Sequence, residues 1–323
     1  MKQYGILILL VTAAAMVFAG TLDSAKALGM IFSKDNKTLI HCPENATSVT
    51  IPDGVTSIRD LAFAECTQLT EVIIPASVSS IGTAAFAGCS KLTGVIIPAS
   101  VTSIGSEAFA EVRSVKVAGG NKYFANGTAG EVIDIKNKRL IYFPRAFEGS
   151  YTIPDGVRSI ACSTFAACSK LTGVTIPDSI TSIGDGAFAN CSGLSGVTIP
   201  RSVTSIGQYA FAHVRSVKVA GGNKYFANGT AGEVIDIKNK RLIYFPRAFE
   251  GSYTIPDGVR SIGFRAFADC SKLTGVNIPD SVIDIAWGAF KGCSSLPGVT
   301  VSAETRYSDA AFPEGCKVTV RKR

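Results

Sequence analysis

Residues 171–191 decide the fold, and they read Leu-Thr-Gly-Val-Thr-Ile-Pro-Asp-Ser-Ile-Thr-Ser-Ile-Gly-Asp-Gly-Ala-Phe-Ala-Asn-Cys. Parts of this unit recur along the chain at a step of 23 residues. Its Ile-Pro pair begins at Ile51, Ile74, Ile97, Ile153, Ile176, Ile199, Ile255 and Ile278. A fixed period of roughly 20–29 residues is the signature of a solenoid, in which each repeat packs against its neighbours.

A longer period lies above the short one, because Ile51, Ile153 and Ile255 are 102 residues apart. Residues 112–160 are identical to residues 214–262, which indicates an internal duplication. We therefore predict a single repeat domain over residues 28–323, built of three supercycles of about 102 residues. Each supercycle combines an inserted β-hairpin unit with 23-residue rungs.

Within one rung, Val174-Thr175-Ile176 alternates apolar and polar residues, which predicts a short strand. Pro177 ends that strand because proline has no N–H to donate. Ala187 and Phe188 are expected to fill the convex side from a 3₁₀ or single-turn helix. The same pattern predicts twelve strands, centred on Thr50, Ile73, Ile96, Lys116, Thr152, Thr175, Thr198, Lys218, Thr254, Asn277, Thr300 and Thr319.

The repeated apolar positions are predicted to form the core. They are Ile51, Phe63, Cys66, Ile74, Phe86, Cys89, Ile176, Phe188, Cys191, Ile278, Phe290 and Cys293. Val112 and Val214 replace the rung cysteine in two repeats, so the position requires a small apolar group. This replacement favours buried free thiols for the nine cysteines. A disulfide framework is the alternative in an exported protein.

The N-terminal residues are predicted to be a secretory signal rather than part of the fold. Lys2 precedes an uncharged run over residues 6–18, which is shorter than the ~18–20 residues that span a bilayer. We assign residues 1–27 to this signal, with cleavage after residue 19 as the alternative. The mature chain is expected to be secreted or held at the cell surface, without a transmembrane span, and the periplasm is the alternative.

The motif Ile-Pro-x-x-Val-x-x-Ile-Gly-x-x-Ala-Phe-x-x-Cys resembles the repeat of the BspA-type (treponemal-type) leucine-rich repeat surface proteins. The resemblance extends from about Met30 to Val320. It implies a right-handed, β-rich leucine-rich repeat solenoid with short 3₁₀ or helical turns on the convex side and inserted β-hairpins. It also implies attachment to host matrix proteins or to other cells, and it supplies no shared catalytic residues.

The positive charge is concentrated in the duplicated units. Each copy carries eight basic and four acidic residues, whereas the rest of the chain has 16 basic and 17 acidic residues. The predicted ligand-binding residues are Lys116, Lys136, Lys138, Arg139, Arg145, Lys218, Lys238, Lys240, Arg241 and Arg247. With the interleaved Tyr123, Phe124, Tyr142, Phe143 and Phe147, they could form a basic and aromatic patch for an acidic partner. The alternative is a solvated turn with the aromatic rings packed beneath it.

Other features of the sequence give less specific indications of function. The outward positions of the twelve strands, mostly threonine, could form a recognition face, or could simply reflect β-propensity. His41 and His213 are interpreted as solvated surface residues. No cofactor, metal site or nucleic-acid interface is predicted, because histidines are scarce and the net charge of +7 is modest.

These observations predict a binding protein and not an enzyme. The expected partner is a host extracellular-matrix protein, a glycan or a surface protein of another cell. An envelope scaffold without a host ligand is the alternative. A glycan hydrolase ranks third, because no pair of carboxylates recurs in a definable cleft.

Overall fold

The computed structural model describes residues 21–321. The first supercycle contains the helix α1 (Leu22–Ala27) and the strands β1 (Ile31–Phe32), β2 (Thr38–His41), β3 (Ser48–Thr50), β4 (Ser57–Ile58), β5 (Glu71–Ile73), β6 (Ser80–Ile81), β7 (Val95–Ile97), β8 (Ser103–Ile104) and β9 (Val115–Val117). The second contains β10 (Phe124–Asn126), β11 (Val132–Asp134), β12 (Arg139–Tyr142), β13 (Gly149–Thr152), β14 (Ser159–Ile160), β15 (Leu171–Thr175), β16 (Ser182–Ile183), β17 (Val197–Ile199), β18 (Ser205–Ile206) and β19 (Val217–Val219). The third contains β20 (Phe226–Asn228), β21 (Val234–Asp236), β22 (Arg241–Tyr244), β23 (Gly251–Thr254), β24 (Ser261–Ile262), β25 (Leu273–Asn277), β26 (Asp284–Ile285), β27 (Gly298–Val301), β28 (Arg306–Tyr307), a 3₁₀ helix (Asp309–Ala311) and β29 (Lys317–Val320).

The chain is a β-rich solenoid, as the repeat period predicts, and one strand of each rung forms its first face. We call this face the long-strand face. It contains all twelve predicted strands: β3, β5, β7, β9, β13, β15, β17, β19, β23, β25, β27 and β29. Its strands pair in parallel, in four pairs and one group of four. In β17, Val197 and Ile199 are buried and Thr198 is exposed, so the Val-x-Ile alternation sets which face is the core.

A second strand of two residues in each rung forms a face that the sequence analysis did not predict. These Ser-Ile strands stack in parallel and in register, with Ser159 opposite Ser182 and Ile160 opposite Ile183. They extend the sheet of each hairpin unit, in the order β10-β11-β12-β14-β16-β18 in the second supercycle. A strand of two residues has almost no alternation to read, which is why the sequence pattern shows only a turn there.

The Ala-Phe segment of each rung is a hydrogen-bonded turn, and the described residues contain a 3₁₀ helix only at Asp309–Ala311. The turns bond across rungs: the Phe165 N–H donates to Ala187 O, and the Phe188 N–H to Ala210 O, both at 2.8 Å. Left-handed residues flank the buried ring, as at Ser163 with φ 53°. The predicted helical turns are therefore mostly realised as turns that bond to the next rung.

The phenylalanines stack through the core from rung to rung. The ring centroids of Phe165 and Phe188 are 4.9 Å apart with the rings 6° from parallel, and Phe188 continues to Phe211 at 5.7 Å. Equivalent stacks join Phe63 to Phe86 and Phe267 to Phe290. All twelve residues that the sequence assigns to the structural core are buried in the structure.

All nine cysteines are free thiols, in agreement with the free-thiol interpretation. The Sγ atoms of Cys89 and Cys191 lie 3.0 and 2.9 Å from the carbonyl oxygens of Phe63 and Phe165 in the preceding rung. Burial raises the pKa of the Cys89 and Cys168 thiols to about 12. These thiols therefore stay protonated and act as small apolar groups with a weak donor.

The N-terminal end of the described chain packs onto the first rung. Thr21 caps α1, and Ala25 and Met30 are buried in the same core as the first rungs. The apolar part of the predicted signal, residues 6–18, lies outside the described residues. Cleavage after residue 19 would leave α1 in place, whereas cleavage after residue 27 would remove it. Among residues 21–321, no helix has the length and apolar character needed to cross a membrane.

We predict that Phe188→Ala lowers the free energy of unfolding by about 3–5 kcal/mol, because it removes a ring that packs against both neighbouring rungs. The matched surface change Thr175→Ala is expected to alter it by less than about 0.5 kcal/mol. Equilibrium denaturation with urea measures both values. Similar losses in the two variants would contradict the stacked core.

Candidate ligand-binding surfaces

Each inserted hairpin unit presents a tight basic turn beside the two-residue strands. In the second supercycle, β10, β11 and β12 are antiparallel, and residues 135–138 join β11 to β12. The carboxylate of Asp134 accepts hydrogen bonds from the backbone N–H of Asn137 at 2.9 Å and from its side-chain Nδ2 at 2.7 Å. Lys138 completes the turn at φ 53°. This bonding fixes the turn and leaves Lys136 and Lys138 exposed to solvent.

A third cation joins this turn through the sheet register. The Arg158 N–H donates to Lys138 O at 2.7 Å, so exposed Arg158 lies beside Lys138 in the next rung. We call Lys136, Lys138 and Arg158 the first basic corner, and Lys238, Lys240 and Arg260 the second. The ion pairs of residues 21–321 include none of the four corner lysines. Arg158 and Arg260 were missed as site residues because their position depends on the unpredicted two-residue strands.

The other predicted ligand-binding residues lie on different surfaces. Arg139 and Arg241 begin β12 and β22 beside the corners and are half-buried. Lys116 and Lys218 are exposed on the long-strand face. Arg145 and Arg247 lie by the Ala-Phe turns, where Arg145 forms an ion pair with Glu111 at 3.4 Å and Arg247 donates to His213 O at 3.5 Å. The ten predicted residues are therefore divided among three surfaces.

Most aromatic residues of the hairpin units are buried or half-buried, although Tyr225 is 37% exposed. The Phe143 ring is buried, with centroids of Phe147, Tyr151 and Phe165 at 5.1, 4.6 and 4.6 Å. Tyr142 is also buried, and its hydroxyl donates to Val112 O at 3.1 Å. This arrangement matches the alternative in which the rings pack beneath the turn, whose exposed side chains are those of Ile135, Lys136, Asn137 and Lys138.

A buried carboxylate fastens each hairpin unit to the following rung. Glu131 is fully buried and accepts hydrogen bonds from the Tyr151 hydroxyl and the Ala129 N–H, both at 2.8 Å. A Cβ atom at Gly127 would lie 1.9 Å from Glu131 Oε1, so this position requires glycine. Glu233 repeats the arrangement with Tyr253. Two of the acidic residues counted in the charge balance are therefore structural and absent from the surface.

The long-strand face carries few charges. Thr175, Thr198 and Asn277 are exposed, and Ile73 and Ile96 are each about half exposed, at 52% and 54%. The face is interrupted by Lys116 and Lys218. It therefore remains available as an extended recognition surface of the kind that solenoids use.

His213 differs from its predicted state as a solvated residue. Its ring is half-buried, with Nδ1 hydrogen-bonded to Asn190 Oδ1 and Nε2 at 2.5 Å from Asp269 Oδ2. Burial lowers the pKa of His213, together with Arg247 and Arg265, and Asp269 opposes this effect. His41 is exposed, as expected. Within residues 21–321, no group of three or more His, Cys, Asp or Glu side chains could hold a metal ion.

The repeats match the model of the BspA type leucine rich repeat region in six copies, over residues 35–138, 142–239 and 244–319. The chain belongs to the BspA-type leucine-rich repeat family. A search of curated proteins finds no match to this BspA-type chain.

Several solved structures are similar to this BspA-type chain. A leucine-rich repeat protein from Eubacterium ventriosum is 22% identical, with a TM-score of 0.51 and coverage of 87% of this chain and 89% of that one. A leucine rich cell surface protein from Faecalibacterium prausnitzii is 22% identical, with a TM-score of 0.45 and coverage of 91% and 93%. The pneumococcal vaccine antigen PcpA is 19% identical, with a TM-score of 0.44 and coverage of 91% and 94%.

The lowered pKa of His213 gives a pH-dependent stability. The unfolded chain binds the proton more tightly than the folded chain, so we expect the free energy of unfolding to fall as the pH drops below 6.5, the ordinary histidine pKa. It should level off below the pKa of the folded state. His213→Gln should remove this component, as measured by urea denaturation between about pH 8 and pH 5. Identical pH profiles for the two proteins would contradict the burial of the His213 ring as the cause of its lowered pKa.

Proposed function

We propose that this BspA-type chain is an exported binding protein, secreted or displayed at the cell surface, that adheres to host extracellular components or to other cells. Family membership and the solenoid fold support a binding role. The signal-like N-terminus supports export. The observation that carries the choice of partner is the pair of basic corners, which have identical sequences and exposed lysines outside the ion pairs of the described chain.

The chemistry of the corners fits an acidic partner. Each corner combines two flexible lysine ammonium groups with one arginine guanidinium on an exposed edge. Sulfate and carboxylate groups of an anionic glycan, or an acidic protein segment, provide the complementary charge. Because the contacts are exposed, salt should weaken them, since charges are screened over ~8 Å at physiological ionic strength.

The spacing of the corners favours a long partner. Lys138, Arg158, Thr181 and Thr204 occupy successive rungs, linked by backbone hydrogen bonds from each N–H to the preceding carbonyl. The second corner lies beyond this column, across the break between β18 and β22, so the two corners are more than three strand spacings, or ~14 Å, apart. A polymer that contacts both corners gains avidity, because its second contact is intramolecular.

We predict that changing Lys136, Lys138, Lys238 and Lys240 together to Gln weakens binding to immobilised heparin by about tenfold or more at physiological salt. The matched control changes Lys91, Lys170, Arg201 and Lys272 to Gln, which removes the same charge from exposed residues bonded to Gln68, Glu148, Asp178 and Glu250. Surface plasmon resonance at low and physiological salt gives the affinities. Equal weakening in both variants would show a non-specific effect of net charge and overturn the assignment of the corners.

The location of the protein in the cell distinguishes a surface adhesin from a periplasmic scaffold. A surface adhesin should be degraded when intact cells are treated with protease, whereas a periplasmic scaffold should be spared until the outer layer is opened. Immunoblotting of treated and untreated cells, with a periplasmic marker as control, provides the measurement. Full protection in intact cells would contradict surface display.

A further inference from the structure

Two junctions interrupt the sheet of two-residue strands. The strand β8 ends the sheet of the first supercycle, and β18 ends that of the second. At each point the hairpin unit starts a new sheet. We call the space between β8 and β12 the first junction, and that between β18 and β22 the second junction. The hairpin walls of the two junctions have identical sequences, whereas the residues that face them differ.

A hydrogen bond joins the two sides of the first junction. The hydroxyl of Ser163 donates to Glu107 Oε1 at 2.6 Å, across 56 residues of sequence. The residues at the corresponding positions of the second junction, 102 residues later, are Tyr209 and Arg265. This bond therefore has no equivalent there, and the second junction contains a cleft of about 210 Å³.

Aromatic rings form one wall of this cleft. Tyr209 and Phe264 line it, with ring centroids 5.1 Å apart, and Phe264 stacks on Trp287 at 5.5 Å. A Cβ atom at Gly186 would lie 2.9 Å from the Tyr209 ring, so glycine there permits the position of the ring. The Arg265 guanidinium lies 5.6 Å from the Phe264 ring centroid and holds the cluster from outside.

Polar side chains form the opposite wall. Asp236 and Asn239 are bonded to each other at the end of the hairpin, and Arg241 lies beside them. A Cβ atom at Gly263 would lie 3.1 Å from Arg241 Nε, and the first junction has Ala161 at that position. Asp185 adds a carboxylate where the first junction has Thr83. The changes that distinguish the junctions thus add aromatic surface and room, and they exchange the carboxylate of Glu107 for that of Asp185.

We propose that the cleft of the second junction binds one sugar unit of a neutral glycan. A sugar hydroxyl both donates and accepts hydrogen bonds, and the cleft lining has two carboxylates, each with lone pairs beyond those that accept from Gln208 and Asn239, together with an amide and a guanidinium. The C–H face of a sugar ring packs on aromatic surface, which Tyr209 and Phe264 supply. The carboxylates of Asp185 and Asp236 disfavour anionic ligands. The volume far exceeds the ~10–15 Å³ that one water molecule needs.

The test uses the full mature chain and a panel of glucose, galactose, mannose, N-acetylglucosamine and their short oligomers. Trp287 is the only tryptophan of the chain and contacts the cleft wall through Phe264, so its fluorescence reports binding. Ligand-observed NMR provides a second readout. We expect saturable binding of at least one member of the panel, unaffected by salt. Tyr209→Glu with Phe264→Cys, which restores the residues of the first junction, should abolish it.

A matched pair of variants controls for damage to the hairpin. Asn239→Ala should weaken sugar binding by about tenfold, the loss expected for one hydrogen bond. Asn137→Ala removes the same turn contacts 102 residues earlier and should change it by less than about twofold. Equal effects of the two variants, no binding to any sugar of the panel, or displacement of sugar by an unrelated peptide would overturn the proposal. The four-lysine variant should bind sugar normally, so failure of this site and of the basic corners are distinguishable.

Discussion

The hydrogen bond that each rung forms with the preceding rung is the constraint on which the structure depends. Backbone N–H groups of one Ala-Phe turn donate to carbonyl groups of the next turn, and the phenylalanine rings stack at the same step. A rung alone cannot pair these groups or cover its apolar side chains. The 23-residue step holds between the regular rungs, as from Ser159 to Ser182 and on to Ser205, whereas the last rung of the second supercycle pairs at a shorter step of 20 residues, from Val197 to Val217.

The inserted hairpin units interrupt the direct stacking of rungs, and other contacts replace it there. The strands β12 and β22 pair with the two-residue strands of the next rung, and the side chains of Glu131 and Glu233 are buried. Burying a carboxylate is costly unless its oxygens receive hydrogen bonds, and here a tyrosine hydroxyl and a backbone N–H supply them. The fully buried acid thus secures the unit against the next rung.

The sequence predicts the fold well because the core positions repeat and the Val-x-Ile pattern alternates. It identifies all twelve strands of the long-strand face. It does not predict the two-residue strands, because two residues are too few to show a periodic pattern. The position of Arg158 beside Lys138 is therefore not predicted either. His213 and Tyr209 are also missed, since each is made distinctive by residues such as Asp269 and Phe264 in a later rung. Such contacts depend on which residues the stacking of the rungs brings together, and the local sequence pattern does not show this.

The β12 strand also lies between two cores. Tyr142 belongs to the core of the first supercycle, whereas Leu140 and the adjoining Phe143 belong to that of the second. The β22 strand separates the second and third cores in the same way through Tyr244 and Leu242. The solenoid thus has three cores, which meet at β12 and β22. Because the units of a solenoid interact only with their neighbours, unfolding under force can proceed one core at a time.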